Sequence, residues 1–253
     1  MSFESLISEV YSTRKVRDAL GNEYELTAEV DRAEGDYLLG LVSSDSSIVK
    51  TVEVGCAYGL SSLFICEGLK DRPGASHTII DPGQTSVWHD VGVTQLDRFG
   101  YDFFNVLRVP SELALPQLLV DQPEQFDLVF IDGWHTFDHT MLDLYYASRL
   151  VRVGGYIVTD DCNWPSVAAA IAYYSNYPMF QTIGGFSEFR KNGRSIKQIV
   201  GRSLISKIPP NVAQWILPAA VNGRIYRRAR FPSFVTFKKI APDERNWDWY
   251  EDF

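Results

Sequence analysis

The stretch FDLVFIDGWHTFDHTMLDLYYASRLVRVGGYIVTDDCNWP, which occupies positions 126–165, decides the fold of this chain. It contains two short apolar runs of β-forming residues, Phe126–Ile131 and Tyr156–Thr159. Between them, Thr140–Arg152 carries apolar residues near helical spacing, and the pair Gly154-Gly155 is a typical helix end. The sequence therefore predicts a strand, a helix and a second strand in succession.

Acidic residues follow both predicted strands. Asp132 comes directly after the first strand, and Asp160 and Asp161 come directly after the second. A strand-helix-strand unit gives neighbouring parallel strands with a right-handed crossover, so both carboxyl ends meet at one edge of the sheet. We expect these three carboxylates and His135 to share one crevice.

The composition is that of an ordinary globular protein. A chain of 253 residues with 45% hydrophobic and 22% charged residues predicts one domain, or one domain with a small lobe. Three cysteines, Cys56, Cys66 and Cys162, without a CxxC spacing argue against a disulfide framework and favour a reducing compartment. Because the amino end lacks a secretion signal and no apolar run approaches the roughly 20 residues of a membrane span, we expect a soluble, cytoplasmic protein without a transmembrane segment.

Charge is distributed unevenly along the chain, whose net charge is -8. Residues 1–183 hold 11 basic and 26 acidic side chains, residues 184–240 hold 12 and 1, and residues 241–253 hold 1 and 5. The acidic average argues against nucleic-acid binding by the whole surface. The basic segment is either a solvated face that offsets the acidic body or a surface that recognises an anionic acceptor or a membrane surface.

A glycine-containing turn follows an earlier predicted strand. Lys50–Val54 is predicted to be a strand, Gly55–Gly59 a turn and Leu60–Leu69 a helix, after predicted helices at Phe3–Val16 and Ala33–Val42. Such a turn lets a ligand approach the backbone closely and directs the amino end of the helix toward it. This segment is expected to bind a small molecule.

The details of the turn restrict the ligand. The spacing is neither the GxGxxG that binds a dinucleotide pyrophosphate nor a phosphate-binding GKS or GKT loop. The next predicted strand, His77–Ile80, is followed by Asp81, where an acid of a doubly wound sheet can accept hydrogen bonds from ribose hydroxyls. The pattern favours an adenosine without phosphates.

Four motifs in this order carry a family resemblance: ExGxxxGxS at 53–61, a strand followed by Asp81, FDLVFIDGWH, and VGGYIVTDD. Over roughly Ala33–Ala170 the chain resembles the class I S-adenosylmethionine-dependent methyltransferases. Within them it is similar to the metal-dependent small-molecule O-methyltransferases of the catechol, caffeoyl-coenzyme A and macrolide-sugar types. The resemblance implies an α/β, Rossmann-like, doubly wound sheet of seven mostly parallel strands, with an antiparallel last strand for which Phe234–Ile240 is the candidate.

The resemblance also implies which residues bind S-adenosylmethionine. Asp81 would hold the ribose, and Ser111, in a turn after a strand at Asn105–Val109, would contact the adenine. The residues implied to line the methionine moiety are Glu53, Gly55, Gly59 and Ser61. Asp132 also belongs to the implied cofactor set. Glu53 has an alternative use, since it could bond the amides of the glycine turn instead.

A divalent metal and a base complete the implied site. Asp132, Asp160 and Asp161 match metal-ligand positions, and oxygen ligands suit Mg²⁺, Mn²⁺ or Ca²⁺ better than Zn²⁺. His135 matches the position of a catalytic lysine in the catechol type and of a histidine in the sugar-modifying type. Because His135 and Asp161 both depart from the catechol pattern, we expect an O-methyltransferase acting on a hydroxyl of a sugar-like or polyhydroxylated small molecule.

The remaining segments complete the predicted organisation. Residues 1–48 form an N-terminal helical cap, 49–183 the cofactor-binding core, 184–233 a basic lid or insertion lobe, and 234–253 the last strand and an acidic tail. The core is predicted to close with a helix at Ser166–Tyr174 and a strand at Met179–Ile183, and the lobe to contain helices near Ser195–Ile208 and Val212–Val221. A lobe of this charge would bind an anionic or glycosylated acceptor, or else form a homodimer contact.

Three other functions remain as alternatives. The acids could be helix caps in a metal-independent methyltransferase. A nicotinamide (NAD-type) oxidoreductase could use the same layered fold, although the missing GxGxxG disfavours it. The third alternative is a binding module that keeps the nucleoside pocket without catalysis. Trp164, directly after the paired acids, could either stack on an acceptor or belong to the core.

Overall fold

The computed structural model of the protein describes residues 2–184 and 233–250. Within these ranges the helices are α1 (Phe3–Thr13), α2 (Arg32–Ser44), α3 (Leu60–Leu69), α4 (Val91–Arg98), α5 (Ser111–Asp121), α6 (Phe137–Leu150) and α7 (Pro165–Tyr174). The strands are β1 (Lys15–Arg17), β2 (Glu23–Glu25), β3 (Lys50–Val54), β4 (Ser76–Ile80), β5 (Phe104–Leu107), β6 (Phe126–Ile131), β7 (Val151–Thr159), β8 (Phe180–Gly184) and β9 (Val235–Lys239).

Seven of these strands form one sheet in the order β5-β4-β3-β6-β7-β9-β8. The strands from β5 to β7 are parallel, and β9 is antiparallel to both of its neighbours. The predicted seven-stranded sheet with an antiparallel last strand is therefore confirmed. From β3 the chain moves outward to β5 and then returns to β6 on the other side of β3. A crevice at such a reversal, beyond the carboxyl ends of the strands, is where open α/β sheets bind ligands.

Apolar side chains cover both faces of the sheet. Along β6, Leu128 and Phe130 belong to one buried cluster, which also contains side chains of α1, α2 and α3. Val129 and Ile131 belong to a second cluster with side chains of α5, α6 and α7. Because neighbouring residues of a strand face opposite sides, a strand buried on both sides reads as one apolar run. This is why nearly every residue of Phe126–Ile131 is apolar.

The unit formed by β6, α6 and β7 matches the expected strand, helix and parallel strand, but its second half differs in detail. The helix begins at Phe137, after the N-cap Thr136, and ends at Leu150. The prediction that Gly154-Gly155 ends this helix is wrong, because both glycines lie inside β7. Gly154 has a φ of 89°, and the pairing of β6 with β7 shifts register between Phe126 and Leu128. The glycines therefore serve a strand irregularity, a common use of glycine in sheets.

The N-terminal segment contains more than the predicted helices. The first helix ends at Thr13 rather than at Val16, because Arg14 adopts a left-handed conformation with a φ of 57°. Val16 then lies in β1, which pairs with β2 in a two-stranded antiparallel hairpin that the sequence analysis missed. The cap is thus helical with one added hairpin.

The end of the chain is described only in part. β9 covers the predicted last strand, and the helices predicted at Ser195–Ile208 and Val212–Val221 lie outside the described residues. In the tail, the Arg245 guanidinium lies 3.5 Å from the centre of the Tyr177 ring, against which Trp249 also packs. Among the described helices none has the length and apolar character needed to cross a membrane.

Candidate active site

The ends of β3 and β6 meet at the reversal of strand order. N of Asp132 donates a hydrogen bond to O of Val54 at 2.8 Å. Gly55 has a φ of 85°, and a Cβ placed on it would lie 2.0 Å from O of Asp132. Only glycine satisfies both this conformation and this close approach. The glycine turn and Asp132 are therefore in direct backbone contact at the carboxyl edge of the sheet.

The turn continues into the amino end of α3. Gly59, the N-cap residue of α3, has a φ of 81°, and a Cβ placed on it would lie 2.5 Å from Cα of Gly92. Ala57, between the two glycines, is left-handed with a φ of 47°. The backbone is thus held in an unfavourable conformation where the sequence predicts the cofactor.

Asp81 holds this turn against the end of β4. Its Oδ2 accepts hydrogen bonds from N of Cys56 at 3.1 Å and from N of Ala57 at 2.9 Å, and its Oδ1 accepts one from N of Gly83 at 2.8 Å. Nε2 of Gln84 also donates to Oδ2, at 3.0 Å. Asp81 therefore accepts hydrogen bonds from the amides of the glycine turn. The sequence analysis had considered this role for Glu53. Its contact with a ribose stays a prediction.

Glu53 is engaged by buried polar groups. Its side chain is fully buried and accepts hydrogen bonds from the hydroxyls of Ser61 and Ser62. Nε2 of His77, on β4, lies 3.0 Å from Oε2 of Glu53. Both side chains are buried, and the contact of Glu53 and Ser61 with the methionine moiety stays a prediction.

Ser111 is the first residue of α5, whereas the sequence analysis placed it in a turn. Its side chain bonds to Asp143 of α6, which is 1% exposed. Burial raises the pKa of Asp143 to about 6, and Oδ1 of Asp143 has no hydrogen-bond partner among the described residues. The contact of Ser111 with an adenine stays a prediction.

Donor atoms of Asp132, His135 and Asp161 lie within 4.8 Å of one another, at the carboxyl ends of β6 and β7. Nε2 of His135 lies 3.0 Å from Oδ2 of Asp161 and 3.5 Å from Oδ1 of Asp132. It is shielded from solvent, yet no described group is aligned with it for a hydrogen bond. The three atoms are close enough to one another to hold a single metal ion. Asp161 is also left-handed, with a φ of 52°.

Asp160 lies beside this cluster rather than in it. Its Oδ1 accepts a hydrogen bond from N of Asp161 at 2.6 Å. Burial raises the pKa of Asp132 well above its usual range, and the charges of Asp161, Glu53 and Glu34 raise it further. Burial also raises the pKa of Asp160, as do the charges of Asp132 and Glu34. This accumulation of acids would be stabilised by a cation.

Two exposed tryptophans flank His135. The Trp164 ring lies 5.4 Å from the His135 ring, and Trp134 packs against His139 at 5.5 Å between ring centres. Trp134 is 70% exposed and Trp164 is 52% exposed. The hydroxyl of Ser166, on α7, donates to O of His135 and thereby fixes the loop that carries the histidine. Large exposed apolar side chains beside a polar cluster are typical of binding sites.

A cavity of about 570 Å³ lies elsewhere, between α1, the β1-β2 hairpin and α4. Leu6, Val10 and Phe99 line its apolar part, and Arg17 and Arg98 lie at its polar part. None of the predicted site residues lines it. We therefore place the candidate site at the cluster of Asp132, His135 and Asp161 rather than at this cavity.

Four residues near the site were missed by the sequence analysis: Glu34, Ser62, His77 and Asp143. All four are buried. The sequence offered a signal for His77, since a glutamate inside an apolar strand needs a buried partner and His77 is the only titratable residue of the neighbouring strand β4. The positions of Glu34 and Asp143 depend on helix packing, which the sequence did not reveal.

Residues 52–162 match a family model described as a methyltransferase domain, a range that runs from the glycine-turn strand through the paired acids. A comparison with curated proteins finds no match by sequence.

Solved structures, two O-methyltransferases among them, have a similar fold. The cofactor-bound protein Rv0187 from MTB is 15% identical, with a TM-score of 0.60, over 95% of this chain and 90% of that protein. An O-methyltransferase from Bacillus cereus in complex with SAH is 19% identical, with a TM-score of 0.54, over 72% and 81% of the two chains. The O-methyltransferase TomG from Streptomyces achromogenes, involved in tomaymycin synthesis and in complex with SAM, is 15% identical, with a TM-score of 0.50, over 85% and 82%. Residues 52–162 are therefore similar to a methyltransferase domain, and the chain shares its fold with structures of S-adenosylmethionine-binding methyltransferases, as the resemblance implied.

Proposed function

We propose that this protein transfers a methyl group from S-adenosylmethionine to a hydroxyl oxygen of a small, sugar-like or polyhydroxylated molecule, with the help of a divalent metal. The observation that carries this proposal is the convergence of donor atoms of Asp132, His135 and Asp161 within 4.8 Å, beside the glycine turn. The O-methyltransferase from Bacillus cereus and TomG, which share this fold, support transfer to oxygen.

The glycine turn fits S-adenosylmethionine. Gly55 and Gly59 let the turn pack directly against the backbone of Asp132 and Gly92, and the amino end of α3 begins directly after Gly59. Backbone amides at such a helix end favour a carboxylate such as that of a methionine moiety. Asp81 is proposed to hold the ribose with the lone pairs not used by the turn amides, and Ser111 to contact the adenine.

The acidic cluster fits a divalent cation. Two carboxylates and an imidazole offer converging donor atoms, and burial together with mutual repulsion raises the pKa of Asp132. We propose Asp132 and Asp161 as ligands, with Asp160 as a third after rotation of its side chain. When bound, the metal would orient the acceptor hydroxyl and lower its pKa as a Lewis acid.

His135 is proposed to be the general base. Histidine accepts protons near neutral pH, and Nε2 of His135 has no aligned partner among the described residues. In this role Nε2 takes the proton of the acceptor hydroxyl. The carboxylate of Asp161, 3.0 Å away, would stabilise the imidazolium that results. Ser166 keeps the His135 backbone in place through its hydrogen bond to the carbonyl.

Trp134 and Trp164 are proposed to hold the acceptor. Both rings lie beside His135 or the adjoining helix start and expose more than half of their surface. Flat aromatic faces pack well against the apolar face of a sugar ring or against an aromatic ring. A hydroxyl-rich molecule held between these rings would present an oxygen to His135.

A panel experiment tests this proposal. The protein is incubated with S-adenosylmethionine carrying an isotopically labelled methyl group and with glycosylated, polyhydroxylated, catechol and amine acceptors. We expect labelled methyl ethers of hydroxylated acceptors, formed in the presence of Mg²⁺ and lost after chelation. Methylation of amines alone, or equal rates with and without chelator, would contradict the proposal.

A further inference from the structure

A chain of polar side chains lies buried beneath the glycine turn. Thr51 and Glu53 project from β3, and His77 projects from β4 between them, where Thr51 pairs with His77 in the parallel register. Oγ1 of Thr51 lies 2.8 Å from Nδ1 of His77, and Nε2 of His77 lies 3.0 Å from Oε2 of Glu53. All three residues are fully buried. Both ring nitrogens of His77 are thus engaged, and the ring is fixed.

Glu53 needs this partner. Burying a carboxylate away from solvent is unfavourable unless the carboxylate is paired and hydrogen-bonded. Among the described residues, His77 is the only basic side chain in ion-pair distance of Glu53. The remaining capacity of the carboxylate is taken by the two serine hydroxyls. Loss of His77 would therefore leave a buried acid without a basic partner.

Glu53 in turn holds the start of α3. Ser61 and Ser62 are the second and third residues of this helix, and the N-cap Gly59 has no side chain to cap it. Oγ of Ser62 also lies 3.4 Å from Sγ of Cys56, inside the turn. The hydrogen bonds that Glu53 accepts therefore hold the amino end of α3 and the turn from the protein interior. The cofactor would bind on the opposite side of the turn.

We propose that His77 is a positioning residue for the cofactor turn. It holds the carboxylate of Glu53, which fixes Ser61 and Ser62 and so keeps the amino end of α3 and the Gly55–Gly59 turn in binding geometry. His77 touches no substrate and acts through Glu53. This inference rests on the proposed placement of the cofactor at the turn.

The test compares three variants. His77→Phe keeps a ring but removes both hydrogen bonds, and His77→Gln keeps a donor and an acceptor at similar reach. Thr78→Val is the matched control, because Thr78 is the next residue of β4, is also buried, and bonds to Asn105 at 2.9 Å rather than to the Glu53 chain. Titration calorimetry with S-adenosylhomocysteine gives Kd, and hydrogen exchange without ligand reports the amides of residues 55–63.

We expect His77→Phe to raise Kd at least 10-fold and to speed exchange at residues 55–63, while His77→Gln and Thr78→Val stay within about 3-fold of the parent protein. Equal losses in His77→Phe and Thr78→Val would show general destabilisation and overturn the inference. Unchanged Kd and exchange in His77→Phe would also overturn it. The parent protein could fail to bind S-adenosylhomocysteine while hydrogen exchange at residues 55–63 becomes faster in His77→Phe alone. In that case the positioning role of His77 stands and the proposed placement of the cofactor fails.

Discussion

Nε2 of His135 lies 3.0 Å from Oδ2 of Asp161, across the gap between the ends of β6 and β7. The two residues are far enough apart in the chain that a helix, α6, separates them, and parallel pairing of the two strands brings them together. Neither this oxygen nor Oδ1 of Asp132 is aligned with the nitrogen for a hydrogen bond. The arrangement leaves Nε2 available to a third group, either a proton from an acceptor or a cation.

The role of His135 is tested by His135→Ala. As a general base, His135 would contribute about 100-fold or more to turnover, so the variant should lose that factor. Binding of S-adenosylhomocysteine and of Mn²⁺ should remain close to that of the parent protein. Steady-state assays give the turnover rate, and calorimetry gives the Kd of each ligand. Loss of Mn²⁺ binding would instead make His135 a metal ligand, and unchanged turnover would remove it from catalysis.

The acidic cluster is tested by Asp132→Asn and Asp161→Asn. Removal of either charge should weaken Mn²⁺ binding at least 10-fold, because hard cations prefer charged oxygen ligands. Asp138→Asn is the matched control, since Asp138 lies in the first turn of α6 with a side chain 81% exposed. Electron paramagnetic resonance of free Mn²⁺ gives the Kd. Equal binding in all three variants would show that the acids hold no metal.

The tryptophans are tested by Trp164→Ala. Loss of a stacking face should raise the KM for the acceptor about 5-fold to 20-fold, the equivalent of 1–2 kcal/mol, and leave Kd for the cofactor unchanged. Trp247→Ala serves as the control, because Trp247 lies in the tail and is 98% exposed. A KM that changes equally in both variants, or in neither, would exclude stacking at Trp164.

Asp143 gives a prediction on pH and stability. Its pKa is raised to about 6 in the folded protein, so the folded state favours the protonated form. The stability that this side chain contributes is present below pH 4 and is lost as the pH rises through about 6. Asp143→Asn should therefore stabilise the protein by up to about 3 kcal/mol at pH 8 and by little near pH 4. Urea unfolding at several pH values measures this, and a difference independent of pH would contradict it.

The glycine turn is tested by Gly55→Ala against Gly74→Ala. Both glycines have positive φ, of 85° and 75°, but a Cβ on Gly74 meets nothing within 4 Å. Gly74→Ala should cost about 1 kcal/mol of unfolding free energy from backbone conformation alone. Gly55→Ala should cost about 3 kcal/mol or more, because its Cβ also meets the Asp132 carbonyl. Similar losses in urea unfolding would show that the close approach is unimportant.

The sequence predicted correctly those elements that have a simple local pattern. β3, α3 and β6 have the predicted bounds, because strands buried on both faces and a helix after a glycine turn leave clear patterns. The meeting of Asp132 and Asp161 also followed, since parallel neighbours place their carboxyl ends together.

Other features depend on contacts that no local pattern contains. α5 was not predicted because it contains Pro116, a residue that usually ends a helix. α4 was not predicted, and it begins after two left-handed residues, His89 and Asp90, whose conformation the sequence does not indicate. The burial of Glu53 depends on His77, which lies on the next strand and meets it only through the register of β3 with β4. Such pairings between strands decide how a buried acid is neutralised, and the sequence alone did not show the pairing of Glu53 with His77.

Titration calorimetry of S-adenosylmethionine, and separately of NAD, tests the central claim most directly. The protein is first treated with chelator and then resupplied with Mg²⁺. We predict that S-adenosylmethionine binds at one site per chain, that NAD does not bind, and that a Mg²⁺ binding heat is present in the parent protein and absent in Asp132→Asn. Binding of NAD without binding of S-adenosylmethionine would contradict the proposed function.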